Sequence, residues 1–104
     1  MPNIASYGLT SVYQEDISTK AAGTELIGRP ATVWDVTVTL ETNSNAVVNF
    51  SNSATSYDNT YRCGKVVLDA PGTVHLVFPK GLVTTSGLCV TSNVASVDVR
   101  VTYE

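Results

Sequence analysis

The stretch A-T-V-W-D-V-T-V-T-L-E-T, Ala31 to Thr42, decides the fold class. From Trp34 to Glu41, apolar residues stand at the even positions and polar residues between them, the period of two that a β-strand with one buried face requires. The predicted inward residues are Trp34, Val36, Val38 and Leu40. Their burial contributes roughly 6–12 kcal/mol as an upper bound. A shift of one residue would forfeit most of that free energy, so the register is fixed.

The C-terminal stretch V-D-V-R-V-T-Y-E, Val97 to Glu104, shows the same alternation. The predicted inward residues are Val97, Val99, Val101 and Tyr103. The outward residues carry charges of both signs, which discourages edge-to-edge pairing of strands. This stretch is therefore predicted to be a second half-buried strand, with charged residues on its outer face.

Shorter strands and turn signals fill the middle of the chain. Ala46 to Phe50 follows a polar turn and is predicted to form a hairpin with the strand from Ala31. Residues 51–60 are rich in Ser, Asn, Asp and Thr and are predicted to be a loop. Cys63 to Asp69 and Thr73 to Phe78 are predicted strands joined by the tight turn Ala70-Pro71-Gly72.

The stretch V-F-P-K-G-L-V-T-T-S-G-L-C-V-T-S, Val77 to Ser92, combines strand residues with chain breakers. Pro79 cannot donate a backbone hydrogen bond, so Pro79-Lys80-Gly81 is predicted to turn the chain. Leu82 to Thr91 then forms a strand interrupted at Ser86-Gly87. Gly87 is predicted to allow a bulge, or a bend where one sheet passes to the other.

Residues 1–23 have the weakest pattern. Two interpretations stay open for them: an arm that orders against another subunit, or a first strand near Leu9 to Gln14. With 104 residues the chain is one domain rich in β-branched residues. The predicted fold is all-β, an antiparallel β-sandwich of jelly-roll type over residues 24–104, with an N-terminal arm or extra strand over residues 1–23.

Composition narrows the classes of partner. Charged residues make up 14% of the chain and the net charge is −3, whereas a nucleic-acid binder needs a basic face. No apolar stretch has the ~20 residues of a membrane helix, so no membrane partner is expected. No leader pattern is visible near Met1, which predicts synthesis in the cytoplasm. A neutral surface of Ser, Thr and Asn suits a subunit that contacts neighbouring subunits.

Catalytic and metal-binding patterns are not found. His75, the one histidine, is predicted to face outward, since Val74 and Leu76 face inward. Cys63 and Cys89 are expected to be free, partly buried thiols. One His and two Cys do not supply the four ligands of a structural zinc site. We therefore predict a protein that is not an enzyme, with no cofactor and no metal.

Tyrosines offer the main candidates for binding. Tyr57 and Tyr61 lie in the polar loop and suit either sugar stacking or a subunit interface. Trp34 is in step with buried valines and is assigned to the core. The candidate interface residues are Ile4, Tyr7, Leu9, Tyr13, Tyr57 and Tyr61.

The stretch from Phe78 to Glu104 resembles small virion proteins of tailed bacteriophages. In those proteins a strand ends in Pro-x-Gly-Leu, continues through Ser/Thr-Gly-Leu and closes in an alternating valine strand ending in Tyr. The hairpin predicted over residues 33–50 is similar to an earlier part of the same proteins.

The resemblance implies a β-sandwich virion subunit, above all a capsid decoration (cement) protein bound to the major capsid protein. It also implies a homo-oligomer, such as a trimer. The alternatives are a tail, fibre or head-vertex component and, from another class, a carbohydrate-binding or adhesin-like module.

Overall fold

The computed structural model describes residues 9–42 and 45–104. This part of the chain contains eight β-strands, one short 3-10 helix and no α-helix. The strands are β1 (Thr10–Gln14), β2 (Thr24–Ile27), β3 (Ala31–Leu40), β4 (Ala46–Ser51), β5 (Arg62–Leu68), β6 (Gly72–Thr84), β7 (Leu88–Ser92) and β8 (Val97–Tyr103), and the 3-10 helix is Asn59–Tyr61. The predicted all-β class is confirmed.

The strands form two four-stranded antiparallel sheets packed as a sandwich. Sheet A has the order β1-β8-β3-β6 and sheet B the order β2-β7-β4-β5. The pairs β1–β8, β2–β7, β3–β6 and β4–β5 are all hydrogen-bonded, so the chain is one long antiparallel ribbon folded over on itself. That arrangement is the jelly roll. The predicted sandwich of jelly-roll type is confirmed.

The core lies between the sheets and is built mainly from valine and leucine. Val36, Val38 and Leu40 of β3 are at most 3% exposed, and Val97, Val99 and Val101 of β8 are fully buried. Because these side chains alternate with outward residues, each strand contributes one face to the core. The predicted inward faces of these two strands are confirmed at these six positions.

Trp34 departs from the predicted pattern. Val33 and Asp35 pair with the adjacent residues Tyr103 and Thr102 of β8, which marks a β-bulge at Trp34. Because the bulge adds one residue, burial changes from even to odd positions on its N-terminal side, and Ala31 and Val33 are buried there. Trp34 is half-buried outside the core cluster, with its ring beside Gly81. The prediction that Trp34 is a core residue was wrong.

Two predicted hairpins are not formed. β3 lies in sheet A and β4 in sheet B, and the same separation holds for β6 and β5. The turn signals were real, but these connections cross from one sheet to the other. β4 and β5 form the one hydrogen-bonded strand pair adjacent in sequence among the described residues.

Three further predictions need correction. Pro79-Lys80-Gly81 does not turn the chain, because β6 runs through it and pairs with β3 on both sides. The strand predicted from Leu82 to Thr91 is therefore the end of β6 followed by β7, and β2 was not predicted. The charges of β8 do not protect an edge, since β8 lies between β1 and β3. The bend at Gly87 is confirmed, as it joins β6 of sheet A to β7 of sheet B.

The described residues of the N-terminal region belong to the sandwich. β1 pairs with β8 over its full length, and the side chain of Ile17 is fully buried in the core. Of the two interpretations of residues 1–23, the first strand is therefore the correct one for residues 10–14. Residues 1–8 lie outside the described part of the chain.

Candidate functional site

The predicted interface residues lie on two different sheets. Leu9, which directly precedes β1, is 40% exposed, and Tyr13 within β1 is 47% exposed. Tyr57 and Tyr61 lie in the β4–β5 connection, where Tyr61 is 58% exposed and Tyr57 is half-buried. The structure thus separates these four residues into one group on sheet A and one beside sheet B. Ile4 and Tyr7 lie outside the described residues.

Tyr13 belongs to a polar cluster on the outer face of sheet A. Its hydroxyl donates a hydrogen bond of 3.3 Å to Asp98 Oδ2, and the guanidinium of Arg100 lies 5.1 Å from the centre of its ring. Desolvation and the neighbouring Asp98 charge raise the pKa of Tyr13. The tyrosine ring is therefore held in one orientation at the surface, which lowers the entropy lost when a partner covers it.

Three carboxylates converge beside this tyrosine. Asp16, Glu41 and Asp98 each have an oxygen within 4.8 Å of the others, and Asp98 is only 6% exposed. Asp98 Oδ1 accepts a hydrogen bond of 3.1 Å from the backbone N–H of Asp16. The hydrogen bond to Asp98, and then its charge, raise the pKa of Glu41. Carboxylate oxygens suit calcium, but an exposed acidic cluster alone does not define a metal site.

Tyr57 lines a shallow depression on the outer face of sheet B. The depression is open to solvent and has a volume of about 410 Å³, and its lining residues are Ala21, Asn49, Ser56, Tyr57, Asp58, Asn59 and Thr91. The hydroxyl of Tyr57 donates to Asn59 Oδ1 at 3.0 Å, and desolvation raises the pKa of Tyr57. Asn49 Oδ1 is buried and has no hydrogen-bond partner within the described residues. An aromatic side chain and the exposed polar residues Ser56, Asp58 and Asn59 therefore share this surface.

Three exposed valines were missed by the sequence analysis. Val77 and Val83 on β6 are 60% and 66% exposed, and Val67 on β5 is 52% exposed. β5 and β6 are edge strands of the two sheets. The alternation within each strand identifies the outward positions, but valine at those positions is indistinguishable in sequence from valine of a buried face. We call Val77 and Val83 the β6 ridge.

His75 and the cysteines occupy separate places. The His75 side chain is 55% exposed, as predicted, and its Nε2 lies 3.9 Å from Asp35 Oδ1. Cys63 and Cys89 are free. Burial raises the pKa of both thiols, so they are neutral at neutral pH and weak as nucleophiles.

No protein family model matches the chain, and a search of curated proteins finds no match. Within residues 9–42 and 45–104, no helix has the length and hydropathy needed to cross a membrane.

Proposed function

We propose that the protein is a structural subunit of a tailed-bacteriophage virion, and specifically a capsid decoration protein bound to the outside of the major capsid lattice. The observation that carries this proposal is the exposed apolar surface of a jelly-roll sandwich, above all the β6 ridge. Jelly rolls recur in viral capsid proteins and in lectins, so the fold narrows the function without deciding it.

The surface of the molecule favours docking to other subunits. Single exposed apolar residues are common on soluble proteins, but Val77 and Val83 lie on one long edge strand. That strand has an unpaired backbone edge, and its charged or titratable side chains are His75 and Lys80. Pro79 and Lys80 protect the middle of this edge, whereas the segment from Gly72 to Val77 has His75 as its one titratable side chain and is open to pairing with another chain. Docking there would cover both the valines and the free backbone groups.

The proposed mechanism is additive contact. An interface of ~1,600 Å² in total is the usual size for a specific complex. Repetition of such a contact over a shell stiffens the shell without any single strong bond. A homo-oligomer, such as a trimer, would let several copies of the ridge engage neighbouring capsid subunits at once.

The test is binding to purified expanded capsids that lack this protein. We expect the protein to co-sediment with the capsids and to raise their melting temperature. A protein that neither co-sediments nor shifts the melting temperature would contradict the decoration role. Binding to purified tails or fibres in place of capsids would support the neighbouring alternative of a tail, fibre or head-vertex component.

A second candidate, carbohydrate binding, is favoured by the depression at Tyr57. The Tyr57 ring offers an apolar surface, and the exposed Asp58 and Asn59 beside it would supply polar groups to the hydroxyls of a sugar stacked there. On a glycan array, Tyr57→Ala should abolish the signal, whereas Tyr13→Ala on sheet A should retain it. A wild-type protein that binds no glycan on the array rejects this candidate.

A further inference from the structure

A small apolar cavity lies between the two sheets, where the edge strands β5 and β6 face each other. Its volume is about 140 Å³. Leu76, Phe78 and Leu82 line it from β6, Cys63 and Gly64 line it from β5, and Phe50 lines it from β4. This cavity is separate from the outer surfaces described above, and the inference drawn from it does not depend on the proposed function.

Gly64 lines the cavity without a side chain of its own. The positions Gly64, Val66 and Leu68 follow one another along the inner face of β5, and Val66 and Leu68 are buried in the core. Gly64 stands opposite Phe50 in the strand pairing. A Cβ atom at Gly64 would lie 3.7 Å from Phe50 Cδ1, an ordinary van der Waals contact. The missing side chain therefore leaves a gap that a larger residue would enter without a backbone clash.

The cavity is reached from the edge of the sandwich. Leu76, Phe78 and Leu82 are only half-buried, although they pack against the core. Apolar side chains that keep contact with water gain free energy when a ligand covers them. A bound apolar group would therefore complete the packing between β5 and β6.

We propose that this cavity binds one small uncharged apolar molecule, namely a single aromatic ring or a branched hydrocarbon of the same size. A cavity of ~150 Å³ lined by Leu, Ile and Phe stays dry and takes up benzene. The present cavity has nearly that volume, and Phe50 and Phe78 offer ring contacts.

The remaining lining groups agree with an uncharged ligand. Burial raises the pKa of the Cys63 thiol, so Cys63 lines the cavity as a neutral group. Lys65 is the one charged residue in the lining, and it is exposed. A lysine of this kind lays its methylene stem on apolar surface while its ammonium stays in water. The ligand therefore needs no charge to match.

Benzene is the probe for the test, followed by methyl NMR of Leu76 and Leu82 and by thermal unfolding. We expect chemical-shift changes at these cavity leucines that saturate with benzene concentration. At ten times its dissociation constant, benzene should raise the melting temperature by roughly 5–10 °C. Gly64→Leu, which fills the cavity from β5, should weaken benzene binding at least tenfold.

The matched control is Val67→Leu, on the outward face of the same strand, which should bind benzene as the wild type does. Gly64→Ala gives a graded second variant that keeps ordinary contact with Phe50 and should weaken binding about threefold. Bound benzene should also slow alkylation of the Cys63 thiol in a Cys89→Ala background. The proposal is overturned if wild-type protein shows no saturating shifts, or if Gly64→Leu and Val67→Leu bind benzene equally well.

Discussion

At the scale of single residues, Gly81 lies close against the side chains of Thr32 and Trp34 in β3. Four residues of β6, from Phe78 to Gly81, stand opposite the bulge at Trp34 in β3. Gly81 has a φ of +76°, and a Cβ atom there would lie 2.5 Å from Thr32 Cγ2. Gly81→Ala should therefore lower the free energy of unfolding by about 1–3 kcal/mol, measured by urea denaturation.

The matched control for Gly81→Ala is Gly64→Ala. Gly64 has an ordinary φ, and its added methyl group meets only Phe50, at van der Waals distance. Gly64→Ala should raise the free energy of unfolding by about 0.4–1 kcal/mol, because alanine restricts the unfolded chain more than glycine does. Equal effects of the two substitutions would contradict the steric and conformational role assigned to Gly81.

Glu41 supplies a pH-dependent prediction. Its hydrogen bond to Asp98 and the Asp98 charge raise the pKa of Glu41 in the folded protein. The folded state therefore holds its proton to higher pH than the unfolded state, so the ionised Glu41 lowers stability above its folded-state pKa. Glu41→Gln should raise the melting temperature at about pH 7, and this gain should vanish at a pH below the ordinary pKa of glutamate.

The control for Glu41→Gln is Glu25→Gln, a glutamate on β2 of the other sheet. That substitution removes a carboxylate that lies outside the cluster, so the rise in melting temperature is expected of Glu41→Gln and not of the control. If the melting temperature of Glu41→Gln follows the wild-type curve across the whole pH range, the carboxylate cluster does not lower the stability of the wild-type protein at neutral pH.

At the scale of strands, the sequence predicted which face of a strand is buried better than it predicted which strands pair with each other. The alternation in β3 and β8 predicted six fully or nearly fully buried positions, because alternate side chains of a regular strand point to the same face of the sheet. The one-residue bulge at Trp34 exchanges the inward and outward positions on its N-terminal side, and no residue type in that stretch indicates a bulge. A short turn has the same residue composition whether it closes a hairpin or crosses to the opposite sheet. The strands that pair with β3 and β6 were therefore not predictable from turn residues.

The candidate surfaces show the same limit. The position of Tyr57 and Tyr61 between two strands was predictable because aromatic residues in a polar loop stand out from their neighbours. The β6 ridge lies within one strand, but its exposed valines cannot be distinguished in sequence from valines of a buried face. The carboxylate cluster and the interior gap at Gly64 arise from residues far apart in sequence. Asp98 and Asp16, for example, meet only because β1 pairs with β8.

The β6 ridge gives a prediction for a whole strand edge. Val77→Lys with Val83→Lys should change the free energy of unfolding by less than about 0.5 kcal/mol for each substitution, because both side chains are already exposed. The same double variant should lose binding to expanded capsids, since two buried charges would be unpaired. Co-sedimentation separates the two effects.

The control for the ridge is Val67→Lys on β5 of sheet B, which is equally apolar and also exposed. It should keep capsid binding if the ridge alone carries the contact. Loss of binding in Val67→Lys, with full binding in the ridge variant, would assign docking to sheet B.

At the scale of the whole molecule, the topology governs how the chain folds. Thr10 pairs with Tyr103, more than ninety residues away, and β2 pairs with β7. Such non-local pairing loses loop-closure entropy before the stabilising contacts between the strands form, so folding should take milliseconds to seconds. The single tryptophan, half-buried at the bulge, reports the reaction by stopped-flow fluorescence.

The order of strand formation follows from the same topology. β4 and β5 form the one sequence-adjacent strand pair among the described residues, so we expect their ribbon to form first. Val48 of β4 and Val99 of β8 are both fully buried valines and make a matched pair. Val48→Ala should slow folding, about tenfold for a loss of about 1.4 kcal/mol. Val99→Ala should mainly speed unfolding, and the reverse pattern in the two chevron plots would place the nucleus at the joined chain ends.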